Sequence, residues 1–293
     1  MPNILSIFIP KDKKLFKKIF TLATPVIISN LSRVLMGIVD MAMVGHLGAT
    51  ALAAVGMAGM VTWTAMSPGI SLRTGTQTVV SRRLGEKKYN QCGIALRNMH
   101  LFAFFIGIPL SFICYYFTTP IISFFIKDPD TLWQCIDYAE LNFLGIYFMY
   151  GAFIFQGFYT GIEKTKLHMK VVLASNILNL YLNIGLIFGS ETIIQTLSGT
   201  PFSMLTYLWS FYDFPALGVR GAAIGTFIAT GWCFIHYFLY LFQSDIINKY
   251  KVFKKTLSKV MFKRQLIIAY PIALQEVFVM FSFTIFYKIL GII

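Results

Sequence analysis

The sequence contains seven apolar runs long enough to cross the hydrocarbon core of a lipid bilayer. A transmembrane helix needs about 20 mostly apolar residues in succession. The chain of 293 residues is 57% hydrophobic and only 13% charged, whereas soluble domains are about 25% charged. We therefore predict an all-α, polytopic membrane protein. The predicted membrane helices are residues 20–45, 52–80, 93–119, 135–160, 168–189, 219–243 and 265–290.

The positive charges lie mostly on one side of this predicted topology. Of the 25 Lys and Arg residues, 20 fall at the N-terminus or beside the loops that follow the second, fourth and sixth helices. Only Lys127 and Arg220 fall on the opposite side. Because cytoplasmic loops are enriched in Lys and Arg, we expect a multi-pass protein of the inner cell membrane with a cytoplasmic N-terminus. The net charge of +13 then reflects contact with the lipid bilayer and its anionic head groups, and no nucleic-acid partner is expected.

An internal repeat divides the chain. The segment FKKIFTLATPVI from Phe16 and the segment FKRQLIIAYPIA from Phe262 reach a proline at the same spacing, at Pro25 and Pro271. Six predicted helices separate the two starts, so both segments enter the membrane from the same side, as in transporters built from parallel repeats. Chance similarity of two basic-apolar segments is the alternative. The repeat predicts a cytoplasmic lead-in (1–19), a six-helix transmembrane lobe (20–244), a basic amphipathic cytoplasmic connection (245–262) and the first helix of a second, incomplete lobe (263–293). Because the connection interleaves basic and apolar residues, we expect an amphipathic helix on the inner membrane surface, or otherwise a plain basic loop.

One carboxylate inside the first predicted helix marks a candidate site. An ionisable side chain at mid-membrane costs about 3 kcal/mol, so Asp40 is a candidate cation or proton site. Asn176, Asn179 and Asn183 are spaced i, i+3, i+7 and form one stripe on the fifth predicted helix. Thr226 on the sixth is expected at a similar depth. Such oxygen-bearing side chains suit Na⁺, and the carboxylate alone suits a proton. The asparagine stripe could instead serve only to hydrogen-bond neighbouring helices.

Other polar and proline positions are weaker candidates. Arg33 lies seven residues before Asp40 on the same face and could pair with it or repel substrate. Pro25 predicts a bend in the first helix, either static or acting as a hinge. Glu276 lies five residues after the proline of the second repeat, where Asn30 lies after Pro25. These positions, together with Asn176, are expected to contact substrate or to allow helix movement.

Four segments together resemble one family of membrane transporters. They are VDMAMVGHLGATALAAVG (39–56), GTQTVVSRRLGEKKYN (75–90), SNILNLYLNIGLIFG (175–189) and GVRGAAIGTFIAT (218–230). In this order they are similar to the multidrug and toxic compound extrusion (MATE) family. The resemblance implies twelve helices in two six-helix lobes that move substrate by alternating access. It implies a secondary active exporter of cationic or amphipathic drugs or toxins, driven by H⁺ or Na⁺ influx, with no other cofactor and monomeric at full length.

The resemblance also implies a site in the first lobe. It maps a cation site onto Asp40, Asn179, Asn183 and Thr226. This chain departs from the family at position 183, where members often carry aspartate. The single carboxylate weakens the case for Na⁺ and leaves proton coupling through Asp40 open. The resemblance adds Gln156 as a substrate candidate, and it makes Glu276 a candidate because one branch of the family has a functional glutamate in the seventh helix.

Other functional classes fit the sequence less well. A related lipid-linked saccharide flippase would line its cavity with many cationic residues, whereas only Arg33 and Arg73 are available here. HExxH and GxSxG are absent from the sequence, so no enzyme is predicted. The four cysteines have no CxxC spacing, so neither a disulfide framework nor a zinc site is predicted. An inactive half-transporter is a further alternative.

Overall fold

The computed structural model describes residues 12–254 and 256–290. That part of the chain contains thirteen α-helices and one 3₁₀ turn. The helices are α1 (Lys13–Gly45), α2 (Ala49–Met66), α3 (Pro68–Gly85), α4 (Tyr89–Tyr116), α5 (Thr118–Phe125), α6 (Pro129–Leu144), α7 (Ile146–Gly161), α8 (Thr165–Phe188), α9 (Ser190–Leu197), α10 (Tyr207–Ser210), α11 (Gly218–Tyr240), α12 (Ser244–Tyr250) and α13 (Lys259–Leu290), with the 3₁₀ turn at Ser203–Thr206.

The described helices supply the predicted membrane crossings. Six segments are long and apolar enough to span a bilayer, namely α1, α2 with α3, α4, α8, α11 and α13. The pair α6 and α7 passes the same test as one span, with a bend of 49° at Gly145. The all-α, membrane-spanning class is therefore confirmed. Two of the predicted helices are interrupted, however, at Ser67 in the second span and at Gly145 in the fourth.

Side chains replace backbone hydrogen bonds where the fourth span bends. The Asn142 amide donates to the Tyr138 carbonyl at 2.8 Å. Beyond the bend, the backbone N–H of Tyr147 donates to the Ser111 hydroxyl of α4 at 3.3 Å. Because a buried backbone group without a partner is costly in a membrane, these contacts stabilise a break that the hydrophobic pattern alone does not reveal.

Helix α7 lies at the centre of the bundle. Its Ile154, Phe155 and Phe158 are buried, and they pack in the main hydrophobic core. A Cβ atom added at Gly157 would lie 2.3 Å from the Arg73 carbonyl oxygen, so this glycine allows α3 and α7 to pack closely. The remaining helices surround this pair and leave a cavity on one side.

The first and last helices share the feature that suggested the repeat. Pro25 is the thirteenth residue of α1 and Pro271 the thirteenth of α13. Helix α1 continues through Pro25, and the Ser29 hydroxyl donates to the Pro25 carbonyl at 2.7 Å. The matching positions agree with two equivalent helices, while the division into lobes stays a prediction.

The basic loops gather at one end of the bundle. Lys18 of α1 pairs with Glu163 at 2.7 Å, and the next residue, Lys164, pairs with Asp245 of α12. The hydrogen bond from Lys164 lowers the pKa of the Asp245 carboxyl. Lys249 lies 4.5 Å from the ring centre of Tyr89, which joins the start of α4 to the same end. The structure thus places these charges together, and the assignment of this end to the cytoplasm stays a prediction.

The segment before α13 differs from the predicted amphipathic helix at 245–262. Helix α12 ends at Tyr250, and Lys251 follows in the left-handed region at φ 49°. The guanidinium of Arg97 donates to the carbonyls of Lys251 (2.7 Å), Val252 (2.9 Å) and Thr256 (2.8 Å). These carbonyls are therefore satisfied by a side chain of α4 instead of by helical hydrogen bonds. We call residues 251–258 the connector.

Candidate cation site and central cavity

A cavity of about 390 Å³ lies between α1, α2, the α6–α7 pair, α8 and α11. Five of its lining residues were predicted from the sequence, together with Thr226 on α11. Its walls combine polar side chains with methionine and aromatic side chains. The lining includes Arg33, Met36, Asp40, Trp63, Met66, Tyr138, Asn142, Phe153, Gln156, Asn176, Asn179, Thr226 and Tyr237.

Asp40 and the asparagine stripe meet at this cavity. The Asn183 side-chain amide donates to the Asp40 carboxylate at 2.9 Å, and Asn183 is fully buried. The Asn179 amide points at the Asn183 side-chain oxygen at 3.4 Å. Helices α1 and α8 are thus joined by a chain of three polar side chains. The structure thus brings Asp40, Asn179 and Asn183 together, and their role in ion binding stays a prediction.

A glycine on α11 makes room for this arrangement. A Cβ atom built on Gly225 would lie 2.0 Å from the Asn183 side-chain oxygen, far inside van der Waals contact. The next residue, Thr226, lines the cavity. The sequence alone does not indicate a role for Gly225, because the role of this glycine depends on how closely α8 and α11 approach each other.

The chemistry of this group suits a proton or a hard monovalent cation. It offers one carboxylate and two amides, and the Thr226 hydroxyl is also in the cavity lining. Asn183 faces Asp40 as a hydrogen-bond donor, and rotation of its amide would turn an oxygen toward the same space. Within the described residues, no group of three His, Cys, Asp or Glu side chains could hold a metal ion. Any cation here would depend on a single full negative charge.

The structure does not pair Arg33 with Asp40. Both line the cavity, but no ion pair joins them among the described residues. Seven residues of helix separate them by about 10 Å along the axis, which is too far for a direct contact on a regular helix. The structure therefore shows no ion pair between them, and repulsion of substrate by Arg33 stays a prediction. Nearby, the Asn176 amide donates to the Ser32 hydroxyl at 2.8 Å, so this member of the stripe does connect two helices.

A second polar group lies in the cavity wall. The Gln156 amide donates to His168 Nε2 at 3.2 Å, and the other ring nitrogen, Nδ1, hydrogen-bonds the Tyr237 hydroxyl. With Nε2 accepting, Nδ1 carries the proton and donates to Tyr237. Gln156 was predicted from the sequence, whereas His168 and Tyr237 were not. A dispersed histidine gives no signal in the sequence, because its partners are 12 and 69 residues away.

Besides Asn183, three predicted positions lie outside the cavity lining. Pro25 is buried within α1, and Asn30 is exposed on the same helix. Glu276 is half-buried on α13. None of the three is among the residues that line the central cavity in the part of the chain described. Their proposed contacts with substrate and the hinge at Pro25 stay predictions.

Comparison with known proteins identifies the family. The profile of the MatE family matches residues 25–184. The probable multidrug resistance protein NorM of Thermotoga maritima is 24% identical over 230 residues, covering 76% of this chain and 44% of that protein. The multidrug export protein MepA of Staphylococcus haemolyticus is 26% identical over 236 residues, covering 79% of this chain and 47% of that protein.

The fold is also that of solved transporter structures. A eukaryotic MATE transporter, AtDTX14, superposes with a TM-score of 0.75 at 19% identity, covering 95% of this chain and 56% of that one. The chain thus spans about half the length of the curated relatives it matches. Since the matching family consists of transporters, the prediction that the chain is not an enzyme is confirmed.

Proposed function

We propose a transport function for this chain, which belongs to the MATE family. Specifically, the chain supplies one lobe of a secondary active exporter that moves cationic or amphipathic small molecules out of the cell. Export is driven by inward H⁺ or Na⁺, by alternating access between two lobes. The names of the similar proteins, which describe multidrug resistance and export, support this proposal.

The partly buried contact between Asp40 and Asn183 is the observation that carries the proposal. A carboxylate inside a membrane helix is costly, so such residues are rare and usually have a function or a partner. Here its described hydrogen-bond partner is one amide at 2.9 Å, and no cationic side chain is paired with it in the described part of the chain. An ion that enters the cavity would therefore find an unneutralised carboxylate. Binding or release of that ion changes the charge of the site, which is what coupling requires.

The walls of the cavity suit an amphipathic substrate. Trp63, Tyr138 and Phe153 present aromatic surface, and Met36 and Met66 add flexible apolar surface. Aromatic rings attract cations over their faces, and methionines adapt to ligands of different shape. Substrate and coupling ion would then compete for the same cavity, so that loading one releases the other.

We place the protein in the inner cell membrane with the basic end of the bundle in the cytoplasm. The contacts of Lys18 and Lys164 collect the basic segments at one end, which the positive-inside rule assigns to the cytoplasm. A cysteine introduced by Asp213→Cys should react with a membrane-impermeant maleimide added outside cells, whereas one introduced by Lys88→Cys should not. Labelling of Lys88→Cys in intact cells would contradict this orientation.

Export is tested in a host that lacks its own drug exporters. The natural gene product containing this chain is expressed, and accumulation of ethidium, an aromatic cation, is followed by fluorescence. We expect less ethidium than with the empty vector, and a loss of this difference when ionophores collapse the H⁺ and Na⁺ gradients. Equal accumulation with and without the expressed protein, at verified membrane insertion, would contradict the proposal.

A further inference from the structure

A second cavity, of about 400 Å³, lies near the basic ends of α3 and α13. It is separate from the central cavity and shares no lining residue with it. Each helix contributes one face, with residues spaced three or four apart. The lining residues are Thr78, Val79, Arg82 and Arg83 from α3, and Arg264, Ile267 and Ile268 from α13. We call this cavity the arginine groove.

Close packing of the two helices forms the groove. A Cβ atom on Gly75 would lie 2.9 Å from the backbone oxygen of Gln265, so the helices touch one turn from the groove. The fully buried Gln265 side chain donates to the Ala95 carbonyl of α4 at 3.0 Å. This contact fixes α13 against the bundle, so both walls of the groove are held in place.

The groove carries more positive charge than its surroundings neutralise. Glu86 receives contacts from Arg83 at 2.5 Å, Lys88 at 3.0 Å and Arg82 at 3.2 Å. Hydrogen bonds from Lys88 and Arg83 lower the pKa of Glu86 to about 2, so it remains a carboxylate. One negative charge is thus shared among three cations. Arg264, on the opposite wall, makes no ion pair within the described residues.

One buried donor in the groove lacks a partner. The Nε atom of Arg83 is buried and makes no hydrogen bond. An unpaired buried donor costs free energy, so Glu86 satisfies only part of the Arg83 guanidinium. Planar guanidinium groups match the oxygens of phosphate and carboxylate groups.

We propose that the arginine groove binds the head-group phosphate of an anionic phospholipid. Three arginines surround the space for the phosphate, and Val79, Ile267 and Ile268 provide apolar contact for an acyl chain. These apolar side chains belong to two membrane helices. A free phosphate ion would make no favourable contact with them, whereas an acyl chain would. Basic pockets between transmembrane helices bind anionic head groups in this way. The bound lipid would join α3 to α13 at their basic ends.

Native mass spectrometry of the 293-residue chain in detergent tests the proposal. Phosphatidylglycerol and phosphatidylcholine with identical acyl chains are titrated, and the bound fraction gives an apparent Kd for each lipid. We expect phosphatidylglycerol to bind more tightly, and the double variant Arg82→Gln/Arg264→Gln to lose about tenfold or more of that affinity. Both side chains are exposed, so the variant should fold, and Arg264→Gln alone serves as a second, milder variant.

A matched control separates the groove from general surface charge. The double variant Lys87→Gln/Lys263→Gln removes one charge from the turn after α3 and one from α13, both outside the groove lining. It should retain affinity within about twofold. Equal losses in the two double variants, or equal binding of phosphatidylcholine, would overturn the proposal. Displacement of the lipid by millimolar inorganic phosphate would show an ion site instead and would likewise overturn it. None of these outcomes depends on transport activity.

Discussion

The side-chain amide of Asn183 donates a hydrogen bond of 2.9 Å to the carboxylate of Asp40, joining the first membrane helix to α8. The contact lies at the edge of a cavity large enough for a small ligand. It places the departure from the family pattern, an asparagine where members often carry aspartate, directly on the carboxylate that we propose as the coupling group. Position 183 therefore decides how much negative charge the site holds.

Asn183→Asp should increase the dependence of the protein on Na⁺. Two carboxylates about 3 Å apart repel each other, and a bound cation relieves that repulsion. We expect Na⁺ to raise the thermal unfolding midpoint of the variant more than that of the natural chain, measured in detergent against choline at equal ionic strength. Asn176→Asp, on the same helix but bonded to Ser32, is the control and should show no such gain. The same Na⁺ response in all three proteins would show that position 183 does not face the ion.

Gly225→Ala should disturb the same contact from the opposite side. The added methyl group would lie 2.0 Å from the Asn183 side-chain oxygen, so the amide must move away from Asp40. Overpacking of this kind costs about 1–3 kcal/mol, seen as a lower unfolding midpoint, and ethidium export should fall in parallel.

Gly231→Ala provides the control for this substitution. It lies on the same helix, and nothing approaches within 4 Å of its added Cβ atom. An alanine there should be neutral, or stabilising by up to about 1 kcal/mol. Equal effects of the two substitutions would mean that contact with Asn183 is not the cause.

The positions of the membrane helices and the asparagine stripe could be predicted from the sequence, because both depend on local patterns. Apolar run length indicates a span, and the i, i+3, i+7 spacing places Asn179 and Asn183 on one face of α8. Gly225 and His168 could not be found in this way. Their roles depend on the distance between helices that are far apart in the sequence, and a single sequence does not contain that distance.

At the connector, a local sequence pattern gave a prediction that the structure contradicts. The alternating basic and apolar residues of segment 245–262 predict a helix, yet regular helix ends at Tyr250. Hydrogen bonds from the guanidinium of Arg97 hold the Lys251, Val252 and Thr256 carbonyls. These hydrogen bonds from a distant helix outweigh the local preference for helix. The local sequence pattern does not show that they form.

Arg97→Gln should loosen the connector. The substitution removes charge-assisted hydrogen bonds to three carbonyls, and we expect a loss of about 1–3 kcal/mol of stability. Proteinase K should then cut residues 251–258 faster, as followed by mass spectrometry of the fragments. Lys254→Gln removes an exposed cation from the connector itself and should leave the cleavage rate near that of the natural chain. Unchanged cleavage in Arg97→Gln would contradict the anchoring role of this arginine.

The central claim is that Asp40 couples export to an ion gradient, and transport in inverted membrane vesicles tests it most directly. Vesicles carry equal amounts of the natural gene product containing this chain, or of its Asp40→Asn or Asp40→Glu variant. An imposed H⁺ or Na⁺ gradient should drive ethidium into vesicles with the natural protein. Asp40→Glu, which keeps the carboxylate, should retain part of this uptake, and Asp40→Asn should retain none while remaining folded and inserted. Gradient-driven uptake by Asp40→Asn at the natural rate would show that another group couples the ion.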